Sequence, residues 1–339
     1  MLKDKCAKED MMCRMPNVAG LGLSQFFQLS FNVKLARLSP FICLRIYLYL
    51  LGFLYFFLKR TDRKRIILCL KYVLKLNLKK HASYLDSIKT FLGIFDHYFE
   101  KLVMAHRPLS EMTDFLRLRL YIKNRDYLDR VAKTGKGCIL ITGHFGAVEF
   151  LPLSLAMNGY KIVMICRFKT KRLKEELIKR AKEVDVILID ADEPKVAFRA
   201  LQAIKSGRIL ITECDEFSEW RPYPDKRVSV FGHSMPQDRT LDFLYNRAKV
   251  PALMGLMRRE KRGFTLCIDS LADGRKYGSL AAKAWNKLED YILSYPQQWY
   301  QWKDAATALS EHIILDNKKD TQEFPLIPSG RPVLSANFS

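Results

Sequence analysis

His144 and Glu149 are the residues of this chain whose types and setting most directly allow chemistry. They lie in Gly137-Cys138-Ile139-Leu140-Ile141-Thr142-Gly143-His144-Phe145-Gly146-Ala147-Val148-Glu149-Phe150. An imidazole beside a carboxylate is a general base with an orienting partner. In one continuous helix the two side chains would stand about 140° apart, so they meet only if His144 lies in a turn and Glu149 opens a helix. The local pattern predicts that arrangement. A short β-branched run reads as a buried strand, and Gly143 and Gly146 bracket the histidine and tolerate a tight turn. Apolar residues at helical spacing follow. Such a strand–turn–helix puts a titratable side chain and the backbone N–H groups of Phe145 to Ala147 at the carboxyl edge of a sheet, where open α/β folds bind ligands. In the alternative reading, Glu149 only complements the helix dipole.

The elements that must position this stretch follow from periodicity. Strand-like runs fall at Leu118–Ile122, Cys138–Thr142, Ile162–Cys166, Val186–Ile189, Ile209–Thr212, Pro251–Met257 and Phe264–Ile268. Helical patterns separate them near 126–133, 147–158, 171–183, 194–206 and 236–248, and further helices are expected near 279–294 and 298–313. For 194–206, Asp192 is the expected cap and Pro194 the expected first-turn residue. The alternation predicts an α/β class: a layered domain over 117–313 with a central, mostly parallel sheet.

Before it, Phe41–Leu58 reads FICLRIYLYLLGFLYFFL, and eighteen helical residues reach about 27 Å, close to a bilayer core. Arg45, its one charge, sits near an end where it could snorkel. Residues 39–60 are therefore expected to be a membrane helix, after a mixed leader at 1–38 and before basic and amphipathic helices at 61–116. A buried core helix or an interfacial helix fits the same composition. Residues 59–80 hold nine Lys or Arg and one Asp, which by the positive-inside rule puts the following chain on the cytoplasmic side. Ile66, Ile67, Leu70, Val73, Leu74 and Leu78 recur at helical spacing there, and residues 83–105 carry a wide apolar face beginning at Tyr84 and Leu85. The tail, 314–339, is polar and is expected to be loose.

The formal net charge of +21 suits an anionic partner such as a lipid surface or an acidic protein. No zinc-finger spacing, RNP motif or basic heptad region points to nucleic acid. The eight cysteines form no CxxC pair and several lie in apolar runs, as buried thiols do in a reducing compartment. The six histidines show no metal-ligand spacing, and no metal is expected.

Gly-His-Phe-Gly-x-x-Glu after an apolar strand resembles the His-x4-acid block of the lysophospholipid acyltransferase superfamily. More narrowly it is similar to the late acyltransferases of lipid A biosynthesis, the lauroyl and myristoyl transferases. That family often has Asn-Trp where this chain has Ala147-Val148. Further blocks share its order: Arg167 after KIVMIC, Asp215 after RILITEC with Glu213 and Glu216 as alternatives, Phe231-Gly232 after VSV ahead of a helical stretch, and Pro296-Gln297-Gln298-Trp299-Tyr300-Gln301-Trp302. The resemblance covers roughly 118–303. It implies a catalytic pair in His144 and Glu149, and a substrate site around Arg167, Asp215, Gly143, Gly146, Phe231 and Gly232. Asp215 is expected beside Arg167, a sharp turn at Gly232 beneath an acyl pocket, and N–H groups of Phe145 to Ala147 as an oxyanion site. The Arg167–Lys174 basic run is the expected docking face for an acidic carrier. Trp299 and Trp302, three apart, are expected on one helix face, chiefly as core.

The implied activity is O-acyl transfer at the bacterial inner membrane, on its cytoplasmic face. The donor would be a fatty acyl thioester on acyl carrier protein or coenzyme A, and the acceptor a hydroxyl of a lipid A precursor or related glycolipid. No bound cofactor is expected, and anionic membrane lipids are the expected surface. The alternatives are a same-fold acyltransferase on another lipid acceptor, an acyl-thioester hydrolase, and a non-catalytic membrane-binding protein.

Overall fold

The structure is a computed structural model, and it describes residues 29–79, 81–168, 171–272, 279–310 and 313. Most of the expected leader, including Cys6 and Cys13, and the tail from 314 lie outside the described residues.

The centre is a seven-stranded sheet of order β1-β9-β8-β2-β5-β3-β4. Its strands are β1 (Leu120–Lys123), β2 (Cys138–Thr142), β3 (Ile162–Cys166), β4 (Val186–Asp190), β5 (Ile209–Glu213), β8 (Ala252–Glu260) and β9 (Gly263–Ala272). Only β8 and β9 pair antiparallel, so β4, β3, β5, β2 and β8 all point one way. The expected layered α/β class with a mostly parallel sheet is thus observed. Strand β2 is buried at every position, as a continuous apolar run in the middle of a covered sheet requires. Helices cover both faces, and two apolar cores result. One holds Ile139, Ile141 and Leu210 with the tryptophans, and the other holds Cys138, Leu140 and Ile211.

Several expected elements are corrected. The stretch at 147–158 is a 3-10 turn, Val148–Phe150, and then a short helix, Leu151–Ala156. Pro152 has no N–H to give, so it suits only a helix start. The helix expected at 194–206 runs Val196–Lys205 from a left-handed Lys195, and Asp192 does not cap it because its carboxylate binds Arg167. Val228-Ser229-Val230 leads first into a hairpin, and the helical stretch expected at 236–248 follows it as Thr240–Ala248. Strand β6 (Pro222–Val230) turns back as β7 (His233–Asp238), with positive φ at both Phe231 and Gly232. The sharp turn expected at Gly232 is therefore present. The C-terminal helix starts at Trp302 and runs to Ala308, with a turn at Leu309 and helical backbone again at Ser310 and Ile313. Trp299 precedes it in an extended conformation, so Trp299 and Trp302 do not share a helix face.

The N-terminal helices pack on this body. Helix α1 (Ser30–Leu38) leads to α2 (Phe41–Leu58), α3 (Arg60–Leu78) and α4 (Tyr84–His106). Helix α2 is long and apolar enough to cross a membrane by length and composition. It buries one stripe, Leu44, Leu48, Gly52 and Phe56, which recurs every fourth residue, against α4. Ile42, Ile46, Leu50, Leu54 and Phe57 on its other side are exposed. Arg45 does not snorkel. Its guanidinium forks onto Asp96 of α4 at 2.7 and 2.9 Å, and the Tyr49 hydroxyl donates to the same carboxylate. Ile66, Leu70, Val73 and Leu74 of α3 are buried as expected, but Tyr84 and Leu85 of α4 are exposed. Ser83 caps α4 in a capping box with Asp86.

Helix α4 touches the 3-10 turn Pro296–Gln298 through Gly93. A Cβ there would fall far inside contact distance of the Gln297 carbonyl oxygen, which is backbone and cannot move aside. Gly93→Ala should therefore lower stability by about 1–3 kcal/mol or more, as overpacking does. At Gly52 the nearest atoms an added Cβ meets belong to the Phe95 side chain, which unlike backbone can shift, so Gly52→Ala should cost less. Denaturant midpoints of the two variants check the order.

Candidate active site

Strand pairing builds the site. Thr142 ends β2 opposite Glu213, which ends β5, and the Cys214 N–H donates to the Thr142 carbonyl at 2.9 Å. The two chains leave the sheet side by side, so His144 and Asp215 emerge as neighbours although 71 residues separate them. Gly143 permits the close approach: a Cβ there would press on Leu288 and stand 3.2 Å from the Asp215 carboxylate.

Asp215 is fully buried and receives three N–H groups. Its Oδ2 accepts the His144 backbone N–H at 2.8 Å and the Trp299 indole N–H at 2.7 Å, and its Oδ1 lies 2.9 Å from His144 Nδ1. An ionised carboxylate can only accept, so Nδ1 carries a proton and Nε2 is the outward nitrogen. The Gln301 side-chain amide lies 3.2 Å from the same Nδ1. Nε2 faces two more carboxylates, Glu216 at 3.1 Å and Glu213 at 3.5 Å. Burial alone would push the His144 imidazole down. The charges of Glu213 and Asp215, with the hydrogen bonds the ring donates to Asp215 and Glu216, outweigh it and hold the group well above its usual range. Burial likewise pushes Glu213 up to about 7, against the opposing pull of His144.

The structure does not bring Glu149 to His144. Its carboxylate lies 3.6 Å from His97 Nε2 and 3.5 Å from Lys101 Nζ, both on α4. The cause is the 3-10 turn, which turns the side chain toward α4 instead of back over the preceding loop. Burial holds His97 well below its usual range, with Lys101 and His144 adding to the effect, so the His97–Glu149 contact joins a neutral imidazole to a carboxylate. The Tyr300 ring links the two histidines, stacked on His97 at 3.6 Å between centroids and edge-on to His144 at 4.8 Å.

The other expected site residues divide. Arg167 is not beside Asp215. It binds Asp192 at 2.9 Å and Glu219, which lies in the 3-10 turn Phe217–Glu219 after Glu216. Lys174 is held by Asp190 and Glu193, each at 2.8 Å. Arg167 and Lys174 of the expected docking run are thus neutralised within the chain. The N–H groups of Phe145, Gly146 and Ala147 are no open oxyanion site, for they donate to the carbonyls of Gly143, Gln298 and Met257 at 2.6, 2.8 and 2.8 Å. Gly146 has positive φ, and a Cβ there would collide with the Met257 carbonyl. Phe231 is fully buried, stacked on Trp302 and edge-on to Trp285 and Trp299, so it braces Trp299 rather than facing a ligand. Its N–H donates to Glu289 at 2.7 Å.

Sequence reasoning missed Trp299 as the donor to Asp215, and it missed His97 and Tyr300. A signal for the last two was present: His97 falls on the apolar face of α4, and Tyr300 lies inside the tryptophan block. A scan against protein-family models matches none of them, and a search of curated proteins finds no match to this sequence.

Trp299→Phe keeps an aromatic ring in the cluster, but it vacates part of the indole's buried space and removes one of the three N–H groups on a buried carboxylate. The lost hydrogen bond to a charged partner should cost about 1.5–3 kcal/mol, and the cavity adds to it. Chemical denaturation of wild type and variant measures this.

Proposed function

We propose that this chain is a membrane-associated O-acyltransferase. It would move a fatty acyl group from a thioester on acyl carrier protein, or on coenzyme A, to a hydroxyl of a lipid A precursor or related glycolipid. The observation that carries the reading is the Asp215–His144 pair at the carboxyl edge of the sheet. The acid orients the imidazole through Nδ1 and leaves Nε2 outward. The order of motifs along the chain supports the donor and acceptor classes. The exposed apolar side of α2, beside the basic residues of α3, supports action at an anionic membrane surface of the bacterial inner membrane, on the cytoplasmic side.

In this mechanism the acceptor hydroxyl displaces Glu216, which is 40% exposed, and the Nε2 proton leaves with that carboxylate, so the imidazole is neutral when the hydroxyl arrives. His144 removes the hydroxyl proton as the oxygen attacks the thioester carbonyl. Collapse of the tetrahedral intermediate breaks the C–S bond, and the leaving sulfur takes the proton from Nε2. Asp215 stabilises the imidazolium between the two transfers, and the backbone and indole N–H groups on its other oxygen hold that carboxylate in place. Glu149 acts at one remove, by holding His97 and Lys101.

Turnover of a labelled acyl thioester with a glycolipid acceptor, using purified full-length protein, tests the reading. His144→Ala and Asp215→Asn should each fall by about 10²–10⁴-fold, the usual contribution of general-base catalysis. The double variant should be little worse than either single one, because the pair acts as a unit. Glu149→Gln should lose far less. Near-normal transfer by a folded Asp215→Asn protein would sink the mechanism. A steep loss in Glu149→Gln with normal turnover in Asp215→Asn would return the orienting role to Glu149.

Membrane binding has its own measurement. Vesicles with anionic headgroups should retain the protein better than neutral ones, and rising salt should erode the difference, since exposed charges are screened over about 8 Å at physiological ionic strength. Equal retention on both vesicle types would argue against α3 as a headgroup contact.

A further inference from the structure

We propose that His144 Nε2, Glu213 and Glu216 form a binding site for one divalent transition-metal cation of the zinc class, and that a cation there blocks the nitrogen that acyl transfer uses. The binding half stands on geometry alone, and the blocking half rests on the function proposed above.

The donor atoms of the three residues lie within 4.8 Å of one another. The two edges from Nε2 measure 3.1 Å to Glu216 and 3.5 Å to Glu213. A tetrahedral zinc with bonds of about 2.0–2.1 Å requires ligand–ligand edges of about 3.3–3.4 Å, so the two edges from Nε2 need shifts of only a few tenths of an ångström, and the carboxylate–carboxylate edge lies within 4.8 Å. One imidazole and two carboxylates suit zinc, cobalt or iron(II) better than magnesium or calcium, which prefer oxygen throughout.

The second sphere is also in place. A histidine that holds a metal commonly gives its other N–H to a carboxylate, which fixes the ring and its tautomer. Asp215 receives Nδ1–H, and the indole of Trp299 and the backbone of His144 in turn hold Asp215. With Nδ1–H given to Asp215, Nε2 is the nitrogen that faces Glu213 and Glu216, and a bound cation takes the place there of the proton on Nε2. Among the described residues no lysine or arginine lies within ion-pair distance of Glu213, and His144 is its partner. Glu213 is set by the end of β5, and the loop carrying Glu216 is tethered through Glu219 to Arg167. Glu216 is the more exposed ligand, so its side offers the route in and the place for a water as fourth ligand.

The test uses full-length protein, free of any affinity tag, stripped with a chelator and equilibrated with cobalt(II) or zinc. Folded wild type should retain about one equivalent, and the cobalt form should show the visible absorption of a low-coordinate site. Glu213→Gln and Glu216→Gln should each weaken binding strongly, and Asp215→Asn by about 10–100-fold, as loss of a second-sphere partner does. His81→Ala, which removes an exposed histidine outside the cluster, should bind as wild type does. No retained metal in folded wild type, undiminished binding in both glutamate variants, or equal retention of magnesium overturns the site. In the activity arm, zinc at saturating occupancy should stop transfer and a chelator should restore it. Binding with unaltered turnover overturns the blocking half and leaves the site. Protein that transfers nothing even without metal would refute the proposed function, while the binding measurements would still decide the site.

Discussion

A buried carboxylate must be paid for with donors, and Asp215 shows how much of this molecule that requirement organises. An unpaired charge at this depth would cost several kcal/mol or become protonated. Its three N–H partners come from three places: the turn after β2, the imidazole on that turn, and an indole from the far end of the chain. Each supplier needs its own support. The turn needs Gly143 and Gly146, whose backbones approach others too closely for a side chain. The indole needs the aromatic cluster of Phe231, Trp285 and Trp302, and the hairpin that delivers Phe231.

Helix α4 carries the same logic outward. It buries a polar stripe, Asp96, His97 and Glu100, along an otherwise apolar face. Asp96 clamps Arg45 of α2, Glu100 pairs with Arg259 of β8 at 2.6 and 2.9 Å, and His97 lies against Tyr300 beside the His144 imidazole. Arg259 and Gln298 then exchange hydrogen bonds that hold the segment bearing Trp299. Contacts therefore run unbroken from the apolar helix α2 to Asp215. Gln298 ties down the Gly146 N–H as well, so the loop after His144 and the tryptophan segment form one rigid unit.

Much of the fold was legible because local pattern controls it. The strands of the sheet read as short apolar runs, and Lys171–Glu183 and Phe41–Leu58 coincide with the spans their periodicity indicates. Legibility failed where a few residues are shared by competing conformations. The helix read from 236 starts only at Thr240, because His233–Asp238 pairs with β6 as a hairpin strand. Asp192 could cap a helix or bind Arg167, and the nearby guanidinium won.

At the site, composition and spacing were enough to pick out His144 as the titratable group on a glycine-bounded turn, whereas Asp215 was preferred over Glu213 and Glu216 among the strand-end acids only through the family resemblance. The turn and the strand end are both local facts, since they depend on a strand stopping and a turn following. The choice of carboxylate for the imidazole was not local. Glu149 is five positions away in sequence, yet the 3-10 turn sends it to α4. Asp215 is 71 positions away, yet adjacent parallel strands end in register and set it against Nδ1. Strand order, the register of Thr142 with Glu213, and the return of the chain with Trp299 arise from the packing of all the elements together. Periodicity in one dimension carries no record of them, because a strand's neighbours are selected by mutual burial and not by anything within the strand itself.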